Sequence, residues 1–192
     1  MARQKEFDRT TALKAAIGVF ADRGYGGTST EDLLAAMGIG RQSMYDTFGD
    51  KRRLYMEAYR HYSAESVSGL IRTMSIQASA LAGLEEAMCA FSDAPQISHP
   101  RACMGVSAIC EFGRSDDDIA GVTDLMGKTL NAGIERLILE GKAKNEIAQD
   151  IDAQTAALFI STVLAGMKVS ARAGASSETL RRIARLAVRS LK

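Results

Sequence analysis

Residues 24–62 read GYGGTSTEDLLAAMGIGRQSMYDTFGDKRRLYMEAYRHY, and their punctuation decides the fold. Gly24, Gly26 and Gly27 stop a preceding helix, because glycine takes the left-handed conformation at a helix C-terminus cheaply. Thr28–Glu31 and Ser29–Asp32 both have the hydroxyl-to-acid spacing of a capping box. Either hydroxyl can therefore cap a short helix ending near Met37. Gly38-Ile39-Gly40 is a tight break, and Arg41 to Phe48 forms the next helix. Gly49-Asp50 ends that helix, and Asp50 can cap a long one beginning at Lys51. Two short helices across a glycine-containing turn make a helix-turn-helix. Leu33, Leu34 and Met37 face inward from its first member, and Ile39, Met44 and Phe48 pack between the two.

Working outward, Leu13, Ile17 and Phe20, with Ala12 and Ala16, mark one apolar face of a first helix from about residue 5 to Arg23. Leu54, Ala58, Tyr62, Val67, Leu70, Ile71 and Met74 give the helix after Lys51 its inward stripe. Pro95 and Pro100 cannot lie inside a helix without removing a hydrogen bond. They mark a loop between helices of about 77–93 and 101–113. Asp116, Asp117 and Asp118 open a helix that runs to about Glu140, where Gly141 closes it. Two more, about 152–172 and 177–191, are separated at Gly174. Strand-like alternation, internal repeats and low-complexity tracts are absent from the sequence. The expectation is an all-α chain of about nine helices, divided into a helix-turn-helix domain over 1–50 and a helical domain over 51–192.

Composition bounds the function. The 192 residues carry 24 basic and 23 acidic side chains, a formal charge of +1, so contact with nucleic acid depends on local placement of charge. Residues 1–60 hold ten basic and eight acidic residues (+2), and residues 61–192 hold fourteen and fifteen (−1). With 46% hydrophobic and 24% charged residues, the chain reads as globular rather than disordered. Its longest charge-free apolar stretch, Ala153 to Met167, falls short of the roughly 20 residues of a spanning helix. The first ten residues are charged and no apolar segment follows them, unlike a secretory signal. Three cysteines do not form a disulfide framework. A cytoplasmic protein with no membrane partner and no cofactor is expected.

The helix from Arg41 exposes Arg41, Gln42, Ser43 and Tyr45. These residue types meet DNA: Arg pairs with guanine, Gln with adenine, Ser with either, and Tyr with phosphate. Lys51 adds an ammonium to a helix N-terminus aimed at a backbone phosphate. The stretch from Phe20 through Gly24, Thr28, Thr30, Leu33, Gly38, Met44-Tyr45, Phe48 and Lys51 to Leu54 resembles the DNA-binding domain of the TetR family of bacterial transcriptional regulators. That resemblance implies a homodimer on a double-stranded, pseudo-palindromic operator. It also implies a small-molecule effector held by the C-terminal helices, and a repressor rather than an enzyme. The candidate DNA contacts are Thr28, Ser29, Thr30, Arg41, Gln42, Ser43, Tyr45, Thr47 and Lys51. Gly40 stands where many members place Ser or Thr, so a phosphate contact from that hydroxyl is missing. Asp46 repels phosphate and is assigned no contact.

Other residues carry weaker readings. Met74, Met88, Cys103, Met104, Phe112 and Met126 are candidate lining for an effector pocket, although methionine also fills cores without a ligand. Cys103, near a helix start and Arg101, suits a redox or electrophile sensor, and the resembled family includes members that use such a cysteine. The plainer reading makes Cys103 and Cys110 small buried residues on one helix face. His99, Cys103 and Cys110 do not have metal-ligand spacing. No nucleophile–base–acid set accompanies His61 or Cys103, so catalysis is not expected. A helical small-molecule binder without a DNA role is the alternative outside regulation. Leu158, Val163, Leu164, Met167, Leu180, Ile183, Leu186 and Ala187 on the last two helices are the expected dimer interface, a four-helix contact between subunits. The arginines of the last helix suit a solvated face or intersubunit salt bridges.

Overall fold

The structure is a computed structural model that describes residues 7–93 and 103–192. The described residues form nine α-helices and no strand. The first, α1 (Arg9–Arg23), begins later than the apolar pattern suggested. Asp8 is extended, and its carboxylate accepts from the Thr11 N–H at 2.6 Å, which fixes the start. α2 (Thr30–Met37) is capped by Ser29, which settles the choice between hydroxyls. Ser29 Oγ accepts from the Asp32 N–H, and the Asp32 carboxylate accepts from the Ser29 N–H, a complete capping box. α3 (Arg41–Phe48) follows Gly38, whose φ of +64° suits the break. α4 (Lys51–Ser75) starts after Asp50, whose carboxylate accepts from the Arg53 N–H at 2.8 Å.

α5 (Ala80–Asp93) and α6 (Met104–Phe112) each begin three residues inside the expected span. Ser79 caps α5 by accepting from the Ala82 N–H at 3.1 Å, and Glu146 accepts from the Ala80 N–H at 2.8 Å. Pro95, Pro100, His99 and Arg101 lie outside the described residues. α7 (Asp117–Ala143) continues through Gly141, where a stop was expected. Gly141 serves close packing instead. A Cβ there would lie 2.8 Å from both Ala80 Cβ and Ile147 Cδ1. The chain turns at Asn145, which has a φ of +58°. α8 (Ala153–Arg172) and α9 (Ser177–Arg189) are capped by Asp152 and Ser176.

By compactness the chain divides within α4 and within α7. One unit comprises Met1–Ala64 with Ala102–Thr123, the other Glu65–Arg101 with Asp124–Lys192. The first therefore groups α6 with α1–α3. Its core joins Leu13, Phe20, Leu33, Met44, Phe48, Leu54, Tyr55 and Tyr59 to Met104, Ala108 and Ile119. The second is built on α5, α8 and α9, with Leu84, Met88, Ile138, Ile160, Met167, Leu180 and Ala184 in its core. Of the described helices α8 alone is long and apolar enough to cross a membrane, because its 20 residues extend past Met167 to include Lys168 and Arg172. Ala153, Ala156, Ala157, Ile160, Met167 and Ala171 of this helix pack in the core with α5 and α9.

Candidate nucleic-acid interface

α2 and α3 are locked by a shared floor of Leu33, Met37, Met44 and Phe48, all buried. This floor turns Arg41, Gln42, Tyr45 and Asp46 outward as the exposed face of α3, with Ser43 and Thr47 half-buried at its margins. Met44 and Phe48 lie one helical turn apart and are buried together, and Arg41, Gln42, Tyr45 and Asp46 are left exposed around the rest of the helix. Tyr45 is 44% exposed, unusual for a large ring and suited to an external contact.

The exposed polar groups are held by acids. Arg41 pairs with Glu31 of α2 across the turn, with both side chains more than half exposed. Gln42 Nε2 donates to Asp46 Oδ1 at 2.8 Å, one helical turn along. Arg23 pairs with Asp32 at 2.6 Å. Hydrogen bonds from the Ser29 hydroxyl and N–H, then from Arg23, depress the Asp32 carboxyl to about 2.

The sequence-predicted contacts separate into groups. Ser29, Arg41, Gln42, Ser43, Tyr45, Thr47 and Lys51 come together on α2, α3 and the start of α4 in one unit, and Thr30 is half-buried in the first turn of α2. Thr28 is buried, and its hydroxyl donates to the Gly24 carbonyl at 2.6 Å, closing the α1–α2 turn. Lys51 is half-buried, with its ammonium 4.3 Å above the Tyr25 ring. Asp46 is exposed on α3 alongside Arg41, Gln42 and Tyr45.

Glu111 carries no local motif that marks it out. From the last turn of α6 it accepts from the backbone N–H groups of Tyr25 and Gly26, more than 80 residues away.

The six candidate pocket residues fall in both units. Met74 and Met88 are buried in the C-terminal unit's core, and Met126 is half-buried on α7. Met104 is buried in the N-terminal unit's core, Phe112 packs half-buried against it, and Cys103 is buried in the same unit. Met74 does line a cavity of about 300 Å³, with Ile71, Ser75, Gln77, Arg136 and Lys144 among its neighbours. Cys103 is 5% exposed and its sulfur accepts from the Tyr62 hydroxyl at 3.5 Å. Cys110 is exposed, so the two do not share a buried face. Cys103 stands one residue before α6, which breaks the spacing. No metal-like cluster of three or more His, Cys, Asp or Glu occurs among the described residues. His61 is half-buried on α4.

The expected dimer residues also divide. Met167, Leu180 and Ala187 are buried in the core of their own unit, and Leu164 is buried as well. Val163 and Ile183 are half-buried against that core. Leu158 and Leu186 are 50% and 62% exposed, and Phe159 and Val169, not foreseen, are exposed beside Leu158 on α8. α9 and α5 also border a groove of about 620 Å³ lined by Arg182, Arg185, Arg189, Leu186 and Glu85, in which Arg185 meets Glu85 at 3.2 Å.

Known proteins share this architecture. Residues 12–58 match bacterial regulatory proteins of the tetR family, and residues 78–187 match the tetracyclin repressor-like C-terminal domain. The uncharacterized HTH-type transcriptional regulator YezE of Bacillus subtilis (strain 168) is 30% identical over 165 residues, covering 83% of this chain and 84% of that protein. The HTH-type transcriptional repressor ComR of Escherichia coli (strain K12) is 28% identical over 186 residues, covering 95% and 88%. A cysteine-substituted CifR, a TetR family transcriptional regulator solved with 26-bp double-strand operator DNA, superposes with a TM-score of 0.87 at 28% identity and full coverage of both chains.

Proposed function

Because this chain belongs to the tetR family of bacterial regulatory proteins, we propose that it is a repressor that grips a pseudo-palindromic operator as a homodimer and lets go when a small molecule binds its C-terminal helices. It is a DNA-binding transcriptional regulator and not an enzyme. The observation that carries the finer reading is the outward face of α3. Arg41, Gln42 and Tyr45 stand exposed on a short rod that the buried Met44 and Phe48 anchor to its unit.

In this reading α3 of each subunit enters a major groove, and the two grooves lie about one helical turn, or a multiple of it, apart. Arg41, Gln42 and Ser43 address base edges, while Ser29, Thr30, Tyr45, Thr47 and Lys51 set register on the backbone. The exposed Leu158, Phe159, Val169 and Leu186 meet their counterparts in a second copy. An effector lowers operator affinity only by its differential affinity for two conformations of the protein. A cytoplasmic location is part of the same proposal. Enrichment of duplexes from a random pool by the full-length protein at physiological salt, repeated with candidate metabolites, tests it. The expected result is an inverted repeat whose binding one class of ligand abolishes; binding without sequence preference would sink the reading.

A further inference from the structure

The α1–α2 connection is held from α6, within the same compact unit. The two oxygens of the Glu111 carboxylate take two consecutive backbone donors. Tyr25 N–H donates to Oε2 at 2.8 Å, and Gly26 N–H donates to Oε1. Such charge-assisted bonds are stronger than neutral ones. The glycines make room for this carboxylate. A Cβ on Gly24 would lie 2.8 Å from Glu111 Oε2, and one on Gly26 would lie 2.9 Å from Oε1. The glutamate tip is the flexible partner, so an alanine at residue 26 evicts the carboxylate.

The grip continues toward the proposed phosphate contact. Phe112, next to Glu111, packs its ring 5.7 Å from Tyr25, and Tyr25 meets Tyr55 edge-on at 5.1 Å. On Tyr25 rests the Lys51 ammonium, at the first turn of α4. At its other end the turn closes through Thr28 onto Ser29, which caps α2. One carboxylate therefore fixes both the start of the helix pair and the ring beneath Lys51.

We propose that Glu111 is a positioning residue for DNA recognition, acting through Tyr25 on Lys51 and on the entry to α2; the inference rests on the operator-binding reading above. Charge alone gives the opposite sign. A carboxylate near DNA repels phosphate, so neutralising a purely electrostatic Glu111 would tighten binding. Positioning requires that binding weaken although a negative charge is lost.

The test uses full-length protein and the duplex that the wild type enriches from a random pool. Glu111→Ala should weaken binding on the order of tenfold, as expected when a buttress of two charge-assisted bonds is removed, with Glu111→Gln in between. Gly26→Ala should match Glu111→Ala, and the double variant should be no worse than either. Lys51→Ala should weaken binding in the wild type and change little in the Glu111→Ala background. A role in folding alone would instead make the Glu111 and Lys51 losses multiply. Amide exchange should quicken at Tyr25 and Gly26 in each Glu111 variant. Unchanged or tighter binding by Glu111→Ala and Gly26→Ala, or multiplying losses, overturns the inference. A wild type that enriches no duplex overturns the operator reading, and this inference with it.

Discussion

Replacing Arg41 by Ala probes the reading face with little disturbance of the fold. In the free chain the guanidinium is paired with Glu31, and the side chains are 56% and 69% exposed. A pair so open to water contributes about 0–1 kcal/mol, because solvent screens it and two long side chains must be ordered to make it. Folding stability should therefore move by less than about 1 kcal/mol. In the proposed complex the guanidinium exchanges Glu31 for a guanine edge, a bidentate contact whose loss would cost about 1–3 kcal/mol at that base pair. A dimer places two such contacts, so the cost for a whole operator is about 2–6 kcal/mol at matched salt. Glu31→Gln removes the competitor and should tighten binding by no more than about 1 kcal/mol per subunit. The assay is fluorescence anisotropy of labelled duplexes in which each base pair is replaced in turn. Arg41→Ala should bind the parent duplex weakly and lose discrimination at one base pair per half-site. Equal affinity and an equal discrimination profile in wild type and Arg41→Ala would remove Arg41 from the reader and refute the reasoning.

Leu158→Glu should convert the dimer to a monomer at micromolar concentration by light scattering, since burying an exposed leucine contributes about 1.5–3 kcal/mol and each dimer has two copies; an unchanged mass would show that this face is not the interface. Tyr55→Phe should be neutral or stabilising in urea unfolding. Its hydroxyl is buried with no hydrogen-bond partner among the described residues, and removing a group of that kind recovers its desolvation cost. A loss above about 2 kcal/mol would contradict this. Asp32 is held below its ordinary value of 3.8, at about 2, so its contribution is complete above pH 4 and lost as pH falls through about 2. The stability gap between wild type and Asp32→Asn should thus be level from pH 5 to 7 and close toward pH 2. A gap that widens on acidification would refute the capping-box account.

What could be read in advance follows the range of the interactions. α3 runs from Arg41 to Phe48 as its flanking glycines indicate, because breaks of this kind are set by local backbone conformation. Gly141 carries the same signature without ending its helix, because its role is the approach of Ala80 and Ile147, which lie elsewhere in the chain. Cys103 was placed inside a helix that starts one residue later. The apolar residues of α8 surround most of its circumference, so spacing alone did not separate the core-facing Leu164 and Met167 from the exposed Leu158 and Phe159. Glu111 lay beyond reach altogether. Nothing in CEFGR indicates a carboxylate fitted to a glycine-rich turn 85 residues earlier.

The central claim is that α3 lies in the major groove and that the molecule presents it twice. Guanine N7 methylation protection on an enriched duplex tests this directly, because N7 opens only to that groove. The account predicts two protected clusters on one face of the duplex, a whole number of helical turns apart. Both should fade with Arg41→Ala. A single cluster, or a bound duplex whose guanines react as freely as naked DNA, would contradict it.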